Sequence, residues 1–174
     1  IPEALPLVEL PHEIPTLTMG MYGNMDFYDL KGIVEHLMSV LGMTDAAEYL
    51  PEKGLSWMHP GRTASVVVNG DTIGYLGELH PAVAKNYGIG TRAYLAVKKM
   101  KKLTQYANRS VVYKALPKFP AITRDIAMLV KEDVTVKEIA DIIKANGGAY
   151  LEEVKLFDVY QGAQIEAGYK SVAY

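Results

Sequence analysis

The sequence predicts an α+β chain built in two successive parts, and three observations carry that expectation. Two segments, 26–42 and 135–148, repeat apolar residues at helical spacing. Two β-rich runs flank Asn69-Gly70, the strongest short hairpin signal. After a stretch with Pro117 and Pro120, a strand–helix–strand–strand pattern restarts. The expected parts are 1–110 and 111–174, joined through 107–120.

The elements follow in order. Residues 1–24 carry Pro2, Pro6, Pro11 and Pro15, so an irregular arm is expected, with one short strand near Thr16–Tyr22. In "DFYDLKGIVEHLMSVLG", Asp26 is the predicted N-cap and Asp29 sits in the first turn. Phe27, Leu30, Val34, Leu37, Met38 and Leu41 share one stripe, and Gly42 is the stop. Gly32 costs about 1 kcal/mol inside a helix, which a close backbone approach would explain. "TASVVVNGDTIGYLGEL" is the predicted hairpin, and "HPAVAKNYG" a short helix from Pro81 to Gly88. "RAYLAV" is a further strand. "KKMKKL", 98–103, reads as a solvated helix face or, alternatively, as a phosphate-contacting patch.

In the second part, "RDIAMLV" is a strand and "TVKEIADIIKANGG" a capped helix. Val136, Ile139, Ala140, Ile142 and Ile143 form its expected apolar face. "LEEVKLFDVY" and "KSVAY" are two more strands. This order is that of a split βαβ, ferredoxin-like unit cut short before a further helix and strand.

Composition excludes several classes. The 174 residues are 49% hydrophobic and 22% charged, as in a soluble globular chain. No apolar run reaches the ~18 residues of a membrane span. The start has no basic n-region and no initiator Met, so a piece of a longer protein without a signal peptide is expected. The chain has no cysteine, which rules out disulfides, thiol nucleophiles and Cys-based metal sites. A net charge of −2 gives no overall field for nucleic acid, so any such contact must be local.

No catalytic constellation stands out. His12, His36, His59 and His80 fit no metal-ligand spacing. "MHPGR" reads as a turn, and "ELHPA" as a helix start. Asp26 and Asp29 are explained by capping. There is no GxSxG, Walker loop or GxGxxG motif. No catalytic or metal residue is assigned.

Two groups of segments together carry a resemblance. They are "DFYDLKGIVEHLMSVLG" with "HPGRTASVVVNGDTIGYLGELHPAVAKNYGI", and "KFPAITRDIAMLV" with "LFDVYQG" and "GYKSVAY". In order and spacing, residues 16–174 resemble the C-terminal region of the beta subunit in the bacterial phenylalanine–tRNA ligase family. The resemblance implies that 1–110 is the end of a catalytically inactive class II synthetase-like antiparallel-sheet module. It implies that 111–174 is a truncated ferredoxin-fold (βαββ) anticodon-binding domain. The family's enzyme is a cytoplasmic α2β2 heterotetramer that uses ATP and Mg²⁺ to charge tRNA(Phe) with phenylalanine. Its chemistry lies in the alpha subunit, so no cofactor is expected in this chain. Alternatives are a purely structural subunit-docking piece, or a small-molecule-binding regulatory unit of the ferredoxin-like kind.

Period-2 alternation separates the strand faces of the second part. Ile126, Met128 and Val130 oppose Asp125, Ala127 and Leu129; Phe157 and Val159 oppose Asp158 and Tyr160; Val172 and Tyr174 oppose Ser171 and Ala173. A ferredoxin-like sheet carries helices on one face only, so the bulky apolar rows belong beneath them. Ala127, Asp158, Tyr160 and Ser171 can then share the open face. By resemblance, these four positions match the family's anticodon-contacting residues. A tyrosine ring offers a stacking surface, and a carboxylate can accept from guanine's two adjacent Watson–Crick donors. The family's guanine at the first anticodon position suits that chemistry. Spacing alone leaves Asp158–Tyr160 an exposed edge pair, and leaves Arg124 and Lys118 as phosphate contacts or plain surface charges.

Overall fold

The computed structural model describes residues 11–108, 110, 112, 113, 115, 116 and 118–174, apart from the side chain of Asp45. The first ten residues of the expected arm lie outside the described residues. The chain divides into two compact units, 1–113 and 114–174. Both are α+β, and each has its own antiparallel sheet.

The first unit contains β1 (Thr16–Tyr22), α1 (Phe27–Val40), β2 (Ala47–Pro51), β3 (Met58–Val68), β4 (Asp71–Leu79), α2 (Pro81–Asn86), β5 (Ala93–Lys99) and α3 (Met100–Tyr106). The sheet order is β1-β5-β4-β3-β2. Asn69 and Gly70 both take positive φ, 51° and 80°, which is the two-residue turn that the β3–β4 hairpin requires. α1 starts on a reciprocal capping box. Asp26 accepts from the Tyr28 and Asp29 amides at 2.7 and 2.9 Å, and Asp29 accepts from the Asp26 amide at 2.7 Å. Its stripe, Leu30, Val34 and Met38, is buried against Val66, Ile73, Leu76, Tyr94 and Ala96 of the sheet.

Three expectations are corrected here. Among the described residues nothing packs within 4 Å of a Cβ built on Gly32; the close approach is instead at Gly42. There φ is +70°, and an added Cβ would lie 1.9 Å from the Asn108 carbonyl oxygen. "MHPGR" is not a free turn but part of β3, at a register shift between Met58 and Thr63, where His59 Nδ1 accepts from the Gly61 amide at 3.0 Å. His80 does start its helix, with Nδ1 accepting from the Ala82 amide at 3.2 Å.

The third correction concerns "KKMKKL". Lys98 lies in β5 on the same face as Tyr94 and Ala96 and is fully buried. Its cross-strand partner is Gly74, where a Cβ would sit 2.6 Å from the Lys98 Cδ. Glycine at 74 therefore makes room for the lysine stem. Nζ donates to the Tyr75 carbonyl at 3.2 Å, and burial lowers its pKa from 10.5 to about 7. Lys102, on α3, is bound to Asp71, to which Tyr106 also donates, and this ties α3 to the start of β4. The cluster is thus divided between a core position and a helix clamp rather than forming one solvated face.

The second unit contains β6 (Ala127–Lys131), α4 (Val136–Asn146), β7 (Asp158–Tyr160) and β8 (Tyr169–Ala173). The sheet order is β6-β8-β7. Both outer strands run antiparallel to β8, so β6 and β7 are parallel to each other with α4 as their crossover. α4 is capped by Thr135, whose hydroxyl accepts from the Glu138 amide at 3.2 Å while Glu138 accepts from the Thr135 amide at 2.7 Å. Those bonds from Thr135 hold the Glu138 carboxyl below its ordinary range.

Ile139, Val172 and Tyr174 form the buried core, with Met128, Val130, Val136, Ala140 and Ile143 packed against it. Ile142 faces out and is 63% exposed, contrary to the expected apolar face. At ~100° per residue it falls about 110° from the centre of the 136–139–140–143 stripe. The expected long strand 151–160 shortens to Asp158–Tyr160, because Asp158 already faces Ala173, the last residue of β8. Among the described residues, no helix is long and apolar enough to cross a membrane.

Burial of Lys98 generates a pH prediction. Below pH 7 the amine is charged in both folded and unfolded chains. Between its folded pKa of about 7 and its ordinary value of 10.5, the unfolded chain binds the extra proton, so stability rises with pH. Lys98→Met should raise the urea midpoint at pH 7 and flatten this rise. Fluorescence of Trp57, the single tryptophan, reports on this unit. An unchanged pH slope in the variant would contradict the assignment.

Candidate nucleic-acid interface

The pairing register of the second sheet decides which side chains share a face. Met128, Val172 and Val159 lie opposite one another across the three strands. Val172 is in the core beneath α4, so this row belongs to the helix side. The neighbouring rows point to the other face, because successive residues in a strand alternate. One row is Ala127–Ala173–Asp158; the next is Leu129–Ser171–Tyr160. All four residues proposed from sequence therefore lie on the face without α4, in two adjacent rows. Ala127, Asp158 and Tyr160 are exposed and Ser171 is half-buried.

Local geometry orders this group. Tyr160 and Ser171 are direct cross-strand partners, which sets their Cβ atoms about 5 Å apart. Asp158 lies two residues back along β7, about 7 Å away on the same face. Between Asp158 and Ala127 only the methyl of Ala173 intervenes, so the floor is shallow there.

Tyr160's ring has a defined resting place. An added Cβ on Gly162 would meet the Tyr160 Oη at 2.2 Å and Cζ at 2.5 Å. The ring thus occupies space that only a glycine leaves open. Sequence reading did not single out Gly162, although "VYQG" places it two residues after the tyrosine.

The register also adds residues that sequence reading did not name as site members. Tyr169 and Lys131 form a third row on the same face, next to Leu129–Ser171–Tyr160. The alternation signal was present in "GYKSVAY", but pairing with β6 was not readable there. Arg124 is committed locally, with Nη1 donating to the Thr123 carbonyl at 2.8 Å, and Lys118 is exposed.

The first unit offers a competing groove of about 470 Å³, lined by Phe27, Tyr28, Lys31, Tyr49, Arg62 and Thr63. Its cations are already engaged. Lys31 pairs with Glu35 and lies 4.6 Å from the Tyr49 ring centre, and Arg62 holds the buried Glu78 at 2.8 Å. Burial, with Glu35 nearby, raises the Tyr49 hydroxyl pKa. Among the described residues, no group of three or more His, Cys, Asp or Glu could hold a metal ion.

Chemically, the open face of the second sheet combines a ring, a carboxylate, a hydroxyl and flat apolar ground. That set can stack an unpaired base and accept hydrogen bonds from its edge.

Comparison with known proteins finds a family for each unit. Residues 3–97 match the family described as "Phenylalanyl tRNA synthetase beta chain CLM domain". Residues 117–174 match "Ferredoxin-fold anticodon binding domain". The chain is 46% identical over 166 residues to the phenylalanine–tRNA ligase beta subunit of Clostridium acetobutylicum, covering 95% of this chain and 21% of that protein. It is 49% identical over 165 residues to the Clostridium tetani beta subunit, covering 95% and 21%. With the Streptococcus thermophilus beta subunit it shares 41% identity over 181 residues, covering 97% and 22%. The chain therefore spans about a fifth of the length of the curated relatives it matches.

Gly162→Ala should displace the Tyr160 ring while leaving the sheet intact. The expected result is altered Tyr160 ring-proton shifts with unchanged backbone amide shifts across β6 and β8. Ring shifts identical to those of the parent chain would show that the glycine does not position the ring.

Proposed function

The chain belongs to the phenylalanyl-tRNA synthetase beta-chain family, and from that premise we propose that its second unit reads the anticodon of tRNA(Phe) on its open sheet face. The observation carrying this reading is the register that gathers Ala127, Asp158, Tyr160 and Ser171 into two adjacent rows away from α4. Tyr160 stacks a splayed anticodon base, a contact worth about 1–3 kcal/mol. Stacking discriminates bases weakly, so the edge contacts carry the choice. The Asp158 carboxylate accepts from the N1 and N2 donors of guanine, a pair that adenine lacks. Ser171 donates or accepts beside it, and the small Ala127 and Ala173 admit the base.

The proposed whole enzyme is cytoplasmic, pairs this subunit with an alpha subunit as α2β2, and charges tRNA(Phe) with phenylalanine using ATP and Mg²⁺. In the groove on the first unit, Lys31 is paired with Glu35 and Arg62 with Glu78. In this reading the alpha subunit carries the chemistry and this subunit contributes packing and tRNA recognition.

A second role, docking of the first unit on a partner subunit, is favoured by the outer side of α1. Tyr28, Ile33 and Val40 are exposed there, 74%, 45% and 65%, and the space above Gly32 is open. A helix from a partner can approach closely over a glycine that no described residue covers. The alpha subunit is the proposed occupant.

Two experiments test these readings on the whole enzyme. Tyr160→Ala should lower kcat/KM for tRNA(Phe) by about 5- to 100-fold, the loss of one stacked base, and leave phenylalanine-dependent ATP–pyrophosphate exchange unchanged. Unaltered aminoacylation kinetics would sink the anticodon reading. Ile33→Glu with Val40→Glu should shift size-exclusion elution away from α2β2, and a tetramer of parental stability would count against docking on α1.

A further inference from the structure

Resting on the anticodon reading above, we infer that Tyr169 is a second base platform on the same face, with Lys131 as its phosphate contact. The open sheet would then hold two successive unpaired nucleotides rather than one.

The register places Tyr169 two residues from Ser171 along the central strand β8 and directly opposite Lys131 of β6. Tyr160 is opposite Ser171 on the other side. Tyr169 is therefore the diagonal neighbour of Tyr160 on one face, at about 7–8 Å, within reach of aromatic side chains and of adjoining splayed bases. β7 ends at Tyr160, and two residues on the chain bends away, at the end of the sheet where Tyr169 lies. The residue at the bend is Gly162, and the phenol end of Tyr160 already lies over it. Tyr160 thus leans along the sheet toward Tyr169, with no Cβ at the bend.

Exposure supports the same assignment. Tyr169 is 36% exposed, and Leu129, opposite Ser171, is 66% exposed. Neither belongs to the core of this unit, whose members lie on the α4 side. Two apolar side chains at solvent, beside an exposed lysine and next to Tyr160, are the components of a single-strand binding surface. Such surfaces combine rings under successive bases with cations along the backbone. Four-stranded RNA-binding sheets stack two or three bases in this way. Lys131, at the end of the third row, stands where the sugar–phosphate chain leaves the ring of Tyr169. It supplies charge locally in a chain whose net charge is −2.

The test uses the full chain and the anticodon stem-loop of tRNA(Phe), intact or with a single abasic nucleotide at each anticodon-loop position in turn. Affinities are measured for the parent chain and for Tyr160→Ala, Tyr169→Ala, Tyr169→Leu and Lys131→Met. Tyr169→Ala and Tyr169→Leu should each weaken the intact RNA by about 5- to 100-fold; the leucine keeps apolar bulk without a flat ring. Neither should weaken further an RNA lacking the base that adjoins the one on Tyr160. Lys131→Met should lower the salt slope by about one. If Tyr160→Ala weakens binding while both Tyr169 variants bind like the parent, anticodon reading stands and the second platform is overturned. Equal loss against every abasic RNA assigns Tyr169 a structural role and also overturns it. If Tyr160→Ala has no effect, the anticodon reading fails and this inference falls with it.

Discussion

Everything proposed for the second unit depends on the register of one short strand. β8 is paired on both sides, with Val172 facing Met128 and Val159. Just beyond the strand, Tyr174 and Ile126 exchange amide–carbonyl bonds of 2.8 and 3.0 Å, and Phe157 donates to Ala173 at 3.0 Å. A slip of β8 by one residue would turn every side chain of that strand to the opposite face. Ser171 would then lie under α4, and Val172 would face solvent. Burial of Val172 and the hydrogen bond from the Tyr174 hydroxyl to the Val136 carbonyl resist that slip. Core packing and the proposed RNA-facing chemistry are two sides of the same alternation.

The first unit shows how the same sequence logic serves another purpose. Its sheet is closed on one side by α1, and its polar groups are spent internally. Glu78 is buried against Arg62, Asp71 holds Lys102 and Tyr106, and Lys98 is buried with Nζ donating to the Tyr75 carbonyl. An unpaired buried lysine opposes folding at neutral pH, since burial disfavours its charged form. Gly74, which admits its stem, makes the position sterically possible. These groups stabilise or shape the module, and the proposed surface for a partner is the outer side of α1.

Local signals were legible in the sequence wherever one residue type satisfies a backbone demand. Asn69-Gly70 is such a case, because both positions need positive φ. Asp26 and Thr135 are others, because the first amides of α1 and α4 lack partners within their helices. Features set by distant packing were not legible. Lys98 reads as surface by composition, and only its neighbour Gly74 across the sheet explains its burial. Ile142 fits a generous helical stripe, but α4 presents a narrower face to three strands. β7 looked ten residues long from its apolar content, whereas pairing with β8 limits it. The candidate site was half legible: alternation set Ala127, Asp158, Tyr160 and Ser171 on one face, and the family resemblance gave all four a proposed role. Tyr169 and Lys131 needed the cross-strand register, and Gly162 the placement of the Tyr160 ring, neither of which a single sequence contains.

The central claim is that the face of the second sheet opposite α4 is the RNA interface. Its most direct test is an NMR titration of the isotope-labelled chain with the anticodon stem-loop of tRNA(Phe). The account predicts side-chain shift changes confined to residues 127, 129, 131, 158, 160, 169, 171 and 173, on alternate positions of three strands. Shift changes gathered instead on α4, or on the groove of the first unit, would contradict it.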